Sequence, residues 1–274
     1  MPAYICKTCG VQQPPSAAPP QSCSICCDER QYVGRRGQHW TTLEEMSETH
    51  QTLVKELEPD LFQLTTNPRF AIGQRALLVR TAQGNVLWDC LSYLDEPTRL
   101  EVISLGGLSG IAISHPHFYA SCVEWSHAFG GAPIYLSERD RDNLVRPSPH
   151  VVHFAGDRIE LLPGLELLRL GGHFAGSTVL HWAGGAEGAG VLLTGDTIAV
   201  AADRRWTAFL YSYPNRIPLP SSEVRQIADR VAALRFDRIY GGWPGDVIRA
   251  GARQAVLRSA TRYLGMLDGS WPRG

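Results

Sequence analysis

Two pairs of cysteines open the chain: Cys6-Lys7-Thr8-Cys9 and Cys23-Ser24-Ile25-Cys26, with Cys27 directly after the second. A CxxC turn aims two thiolates at one point, so two such turns supply the four sulfur ligands of a tetrahedral Zn²⁺. Gly10 follows the first pair, where a metal knuckle needs a residue without a side chain. Pro14, Pro15, Pro19 and Pro20 leave little room for a helix between the pairs. A segment shorter than ~40 residues cannot bury enough surface to fold alone without a metal or a cross-link. Residues 1–38 therefore read as a small zinc ribbon held by Cys6, Cys9, Cys23 and Cys26. Rubredoxin-like iron uses the same four thiolates, and a disulfide pair or redox thiols stay open as further alternatives. Cys27 competes with Cys26 for the fourth position, and the two-residue spacing favours Cys26. The ribbon's expected role is structural, with a protein partner through it left open.

A second set of metal-type side chains sits just past predicted strand ends. IAIS leads into His115-Pro116-His117, LELLRL into Gly171-Gly172-His173, VLLT into Gly195-Asp196, and FDRIY into Gly241-Gly242-Trp243. Ligands in α/β proteins gather beyond the carboxyl ends of strands. In an extended segment residues i and i+2 point the same way, and Pro116 biases His115 toward extended geometry. Both imidazoles are therefore expected to reach one cation. Asp196 at a buried strand end needs a partner, and a cation is the simplest one. His115, His117, His173 and Asp196 thus form a candidate site for one Zn²⁺, or for Fe or Mn. Taken singly, each has a plain reading as a turn or capping residue; the repeated strand-end placement joins them. His39, His50, His127, His150 and His181 receive no ligand role, and His153 is kept as a replacement ligand.

The elements that must position these residues are of mixed type. Residues 41–58 (TTLEEMSETHQTLVKELE) predict a helix capped by Thr41 or Thr42 and stopped by Pro59. LLVRTAQGNVLWDC predicts two strands turning at Gly84-Asn85. A buried strand in GLSGIAIS, a helix in FYASCVEWSHAF and a strand over 132–136 follow. Later strands are expected at 165–170, 178–182, 191–194 and 236–240, with helices near 221–234 and 247–267. This mixture predicts an α/β or layered α+β domain over residues 39–274. The 274 residues are 44% hydrophobic and 19% charged, with a net charge of -1. That composition excludes a mainly disordered chain, and the balanced charge argues against nucleic acid as the partner. No apolar run approaches the ~20 residues that span a bilayer, and MPAYICKTCG lacks the regions of a signal peptide. The expectation is a soluble, cytoplasmic protein that meets a small molecule rather than a membrane.

These segments resemble the metallo-β-lactamase superfamily, whose motifs are HxHxDH, a glycine-flanked His, a GD-type Asp and a late His. SHPH at 114–117 matches the first half of the first motif, GGHFAGST at 171–178 the second-His segment, and LLTGDT at 192–197 the bridging-Asp segment. The hairpin ending at Asp89 is similar to the family's opening, and the resemblance covers about residues 60 to 267. It implies an αββα sandwich with the metal site at one edge, preceded here by the ribbon, as in a subgroup of metallo-hydrolases that share HPHxY. It also shows departures. Tyr119-Ala120 stands where the family has Asp-His, and Gly242-Trp243 where the late His is expected. The residues of the first metal position are present and those particular to the second are absent, so one ion is expected. The leading reading is a hydrolase using a metal-activated water, with Asp196 orienting that water and Tyr119 donating a hydrogen bond to a developing oxyanion. The runner-up is a binding or regulatory protein that keeps the fold without turnover. Mononuclear iron redox or oxygen chemistry is third. The aromatic stretch from Trp206 to Asn215, the pair Arg204-Arg205 and Trp243 are candidates for a substrate wall.

Overall fold

The computed structural model describes residues 1–272, which divide into two compact units, one up to Ala155 and one from Gly156 on. In the first unit, β1 (Ala3–Cys6), β2 (Gln12–Pro15) and β3 (Trp40–Thr41) form a small antiparallel sheet with β1 in the middle. A short helix α1 (Leu43–Ser47) follows, capped by Thr42, whose hydroxyl accepts the Glu45 amide at 3.2 Å. Next come β4 (Gln51–Glu58), β5 (Leu61–Asn67), β6 (Ala76–Thr81) and β7 (Gly84–Trp88), each antiparallel to the one before. The chain then runs through α2 (Glu96–Ser104), β8 (Gly110–Ala112), α3 (Cys122–Ala128), β9 (Ile134–Ser137) and β10 (Val151–Phe154). Strands β7 to β10 are parallel and complete a seven-stranded sheet in the order β10-β9-β8-β7-β6-β5-β4. The change of pattern follows connection length. A two-residue turn can only reverse the chain, whereas a parallel neighbour needs a crossover, here carrying α2, α3 or, between β9 and β10, the 3₁₀ segment Glu138–Asn143.

Ala76, Leu77, Leu78 and Val79 of β6 are each at most 1% exposed, so both faces of this central strand are covered. Trp125 of α3 is fully buried, and its indole N–H finds the Leu91 carbonyl at 2.9 Å.

The expected helix over 41–58 is a correction: only Leu43–Ser47 is helical, and Gln51–Glu58 is a strand. The stretch is rich in Glu, Leu and Lys, which favour helix locally. It pairs along its length with β5, and the Thr52 amide is taken by the Asp95 carboxylate at 2.8 Å. Tertiary pairing overrides a propensity of a few tenths of a kcal/mol per residue. The β6–β7 hairpin also turns two residues earlier than expected. Thr81 pairs with Gly84, which places Ala82-Gln83 in the turn and Gly84-Asn85 at the start of β7. Asn85 is needed elsewhere: its side-chain amide donates to the carbonyls of Leu105 at 3.0 Å and Gly107 at 2.9 Å, closing the end of α2.

The second unit begins with β11 (Arg158–Leu162), β12 (Leu165–Arg169), β13 (Thr178–Trp182) and β14 (Val191–Gly195), an antiparallel run. Two small ladders follow, β15 (Ala199–Val200) with β16 (Thr207–Ala208), and β17 (Leu210–Ser212) with β18 (Ile217–Pro218). Helix α4 (Ser221–Ala232) crosses back to β19 (Arg238–Gly241), which lies parallel to β14. Strand β20 (Val247–Ile248) closes the six-stranded sheet before α5 (Ala252–Asp268). Val224, Ile227 and Val231 of α4 repeat at three- and four-residue spacing and are fully buried, a stripe worth roughly 1.5–3 kcal/mol per side chain. They join Leu170, Val179, Leu192, Phe209 and Val256 in one core cluster. At Gly190 (φ +91) a Cβ would stand 2.3 Å from the Arg235 carbonyl oxygen, so only glycine lets β14 begin this close to the segment before β19. Among the described residues no helix is long and apolar enough to cross a membrane.

Candidate functional site

The structure gathers Cys6, Cys9, Cys23 and Cys26 into one buried cluster whose sulfur atoms all lie within 4.8 Å of one another. Cys6 and Cys26 Sγ are 3.5 Å apart, and Cys9 and Cys23 Sγ 3.7 Å. Cys27 is exposed and outside the cluster. Backbone amides of Thr8 and Cys9 point at Cys6 Sγ at 3.3 and 3.5 Å, and Gln38 Nε2 donates to the same sulfur at 3.0 Å. Such donors stabilise thiolate rather than thiol. None of the cysteines among the described residues is in a disulfide. Four buried sulfurs converging without cross-links fit a tetrahedral metal site.

Two further pairs of buried side chains are of metal-ligating type, His115 with His117 in the first unit and His173 with Asp196 in the second. In the first unit, Asp89 and His115 lie just past the ends of the parallel neighbours β7 and β8. Asp89 Oδ1 accepts the Ser114 amide at 2.8 Å and the Ser114 hydroxyl at 2.7 Å. Ser114 Oγ lies 2.9 Å from His115 Nδ1. The hydroxyl has one proton, and it goes to Asp89. Its oxygen must therefore accept from His115 Nδ1–H, which fixes the tautomer with the lone pair on Nε2, the nitrogen that ligates. Burial pushes the Asp89 carboxyl up to about 7, against the pull of the two Ser114 hydrogen bonds.

His115 is extended (φ -168°, ψ 169°), as its place before Pro116 requires, but Pro116–Phe118 form a 3₁₀ turn. The expected extended HPH segment is thus corrected: His117 lies in the turn, and the rings of His115 and His117 have centroids 5.1 Å apart at 78°. Tyr119 is 3% exposed; burial, with Asp140 and Cys122 nearby, holds its hydroxyl protonated well above the ordinary tyrosine range. It lines a small cavity together with Val11, Gln12 and Arg146.

In the second unit, His173 and Asp196 follow β12 and β14, which run in the same direction in one sheet. His173 Nδ1 lies 3.2 Å from the Leu210 carbonyl, which can only accept, so Nδ1 carries the proton and Nε2 the lone pair. That Nε2 is 3.8 Å from Asp196 Oδ2. Gly172 (φ +86) sets the approach to His173, and a Cβ there would meet Leu219 Cδ1 at 2.8 Å. Tyr213 caps this pair. Its hydroxyl donates to the Asp196 carbonyl at 2.7 Å, its ring is 5.5 Å from that of His173, and the Trp243 ring is 5.9 Å beyond.

The other candidates of the aromatic and arginine stretch are dispersed. Phe209 is fully buried in the core. Trp206 lies under the guanidinium groups of Arg262 at 3.5 Å and Arg258 at 5.0 Å. Arg204 donates to the Gly245 carbonyl at 3.0 Å, and Arg205 pairs with Asp203 at 3.2 Å. His153 lies in β10 and is not in the ligand group. The Asp89–Ser114 pair, which orients His115, is the feature the sequence reading missed. The available signal was an aspartate closing a buried strand, where it needs donors.

No protein-family model matches the chain. "Uncharacterized protein YmaE" of Bacillus subtilis (strain 168) is 51% identical over 270 residues, covering 98% of each chain. Among solved structures, DIM-1 metallo-β-lactamase superposes with a TM-score of 0.57 at 14% identity, over 77% of this chain and 97% of that one. The metallo-β-lactamase FIM-1 from Pseudomonas aeruginosa, in its mono-zinc form, gives 0.54 at 16% identity, over 81% and 97%.

Proposed function

We propose, since the chain belongs to the family of Bacillus subtilis YmaE and has the metallo-β-lactamase fold, that it is a metal-dependent hydrolase working with one ion. The observation that carries this reading is a buried metal-ligating pair in each unit, His115 with His117 and His173 with Asp196, with the lone pairs of His115 and His173 both directed to Nε2; one ion held by all four is part of the proposal. The donor set fits Zn²⁺, with Fe or Mn as the other ions suited to imidazole and carboxylate. A divalent ion held there would supply acidification of a bound water toward pH ~7 and polarisation of the bond under attack. The chain's own residues do the rest. Asp89 and Ser114 hold the His115 ring, the Leu210 carbonyl holds the His173 ring, and Asp196 serves as ligand or as the acceptor that orients the attacking water. Tyr119 enters only as a buried, protonated hydroxyl. Tyr213 and Trp243 offer aromatic surface beside His173 for an apolar part of a small-molecule substrate. Cysteines without disulfides fit a reducing compartment, and so the cytoplasm.

The test is elemental analysis of the purified protein beside the His115→Ala/His117→Ala double variant, followed by a panel of thioesters, lactones and phosphodiesters. The reading expects about two ions per chain in the wild type, one in each proposed centre, and about one in the variant. It also expects turnover of at least one ester class that the variant lacks. Equal metal content in both proteins would sink the site assignment. Loss of an ion without any turnover would support the alternative, a binding protein on the same fold, which the tyrosine and tryptophan at the second-metal positions favour.

A further inference from the structure

The four-cysteine module and the histidine turn are joined by a closed set of hydrogen bonds within the first unit. The chain reverses after Cys9: the Gly10 amide donates to the Cys6 carbonyl at 2.8 Å, and the Cys6 amide to the Val11 carbonyl at 3.1 Å. Gly10 (φ +84) cannot be another residue without strain, since a Cβ would stand 2.5 Å from Ser92 Oγ. Ser92 Oγ is there because it donates to the Gly10 carbonyl at 2.8 Å. The Ser92 carbonyl in turn accepts from Ser121 Oγ at 2.7 Å. Beside Ser121, the Ala120 carbonyl accepts the Gln12 amide at 2.9 Å, which returns the circuit to the knuckle. The Gln12 side-chain carbonyl also accepts from Arg146, which pairs with Glu124 of α3 at 2.7 Å.

Ala120 is the strained member of this ring. Its φ of +47° is left-handed, a conformation that L side chains rarely adopt, and it lies three residues after His117. Ser92 and Ala120 are at most 4% exposed, so water cannot replace the partners that the knuckle supplies. The knuckle, for its part, is too small to keep its shape without its metal. If the cysteines let go, the Gln12 amide and the Gly10 carbonyl leave Ala120 and Ser92, and the turn that carries the histidines loses its support.

We infer that the four-cysteine module is the positioning clamp of the His115–Phe118 turn, so that metal retention by the cysteines and metal affinity at the histidine group are coupled. The inference rests on the two-centre reading above only for its second half. Coupling of this kind is reciprocal and ordinarily amounts to 5–150-fold. Ser92→Ala tests it in the full-length, metal-loaded protein, because it keeps every proposed ligand and removes one bond of the ring. Hydrogen exchange of residues 116–123 should rise about tenfold, while exchange in β12–β14 stays unchanged. Release of the cysteine-bound metal to a chromogenic chelator should quicken by about the same factor, and cobalt affinity at the histidine group should fall with it. Ser92→Thr, which keeps the hydroxyl, should restore all three. Gly10→Ala, which pushes into the same bond from the other side, should repeat the effect of Ser92→Ala. Unchanged exchange at 116–123, unchanged release from the cysteines, or a rise spread evenly over both units would each overturn the clamp. A wild-type protein that takes up no ion at its histidines would refute the hydrolase reading, while exchange and cysteine release would still decide the clamp.

Discussion

Burial and hydrogen bonding pull the Asp89 carboxyl in opposite directions, and burial wins, leaving it at about 7. An unfolded aspartate gives up its proton near pH ~3.9. Between those two values the folded chain binds more protons than the unfolded one. The contribution of Asp89 to stability is therefore complete below the unfolded value and is lost as pH rises through the folded one, by at most roughly 1.4 kcal/mol per pH unit. Asp89→Asn keeps an Oδ1 acceptor for Ser114 but cannot titrate. Urea unfolding at fixed metal content should show a flatter dependence of stability on pH between ~4 and ~7 in the variant than in the wild type. Parallel curves would mean that Asp89 does not change its protonation there. At this scale the candidate site was partly legible in the sequence. His115, His117, His173 and Asp196 stand out because few residue types ligate metals and all four follow strands. The Asp89–Ser114–His115 relay did not stand out, because serine and aspartate at strand ends have many commoner uses and only the β7–β8 pairing brings these two together.

Elements were legible where a local pattern had no rival. The runs at 178–182 and 191–194 are near-continuous apolar stretches bounded by turn residues, and they became β13 and β14. The stretch at 41–58 had a rival: its helix formers lost to an eight-residue strand paired along β5. Asp95 helps decide that contest from outside the segment. One of its carboxylate oxygens caps α2 by accepting the Thr98 amide at 2.9 Å, and the other takes the Thr52 amide of β4 at 2.8 Å. One side chain thus ends a helix and anchors a strand far away in sequence. Asp95→Ala should cost more than the ~1 kcal/mol of an ordinary helix cap, because the Thr52 amide is left without its acceptor as well. Chemical denaturation would measure the loss, and a cost near zero would show that water takes over both amides. The 3₁₀ turn at Pro116–Phe118 was illegible for a different reason. Proline suits the first position of a helical turn as well as an extended segment, and HPH alone does not choose between them.

On the scale of the whole molecule, a fold shared with solved metallo-β-lactamases at 14–16% identity says that the architecture outlives most of its sequence. The chain also carries a sulfur-rich start. Its fifth cysteine, Cys27, is exposed while the other six are buried. An alkylating reagent added to the loaded protein should therefore add one mass tag per chain, and full denaturation should add seven. Stripping the ion from the cluster should bring the four ligand sulfurs within reach and raise the count to five, with Cys90 and Cys122 still protected. A loaded chain that accepted five tags would place the cluster's sulfurs in solvent and contradict their burial. The neighbour left outside the cluster thus gives an internal standard, so that counting tags by intact mass reads the occupancy of a centre that zinc leaves colourless.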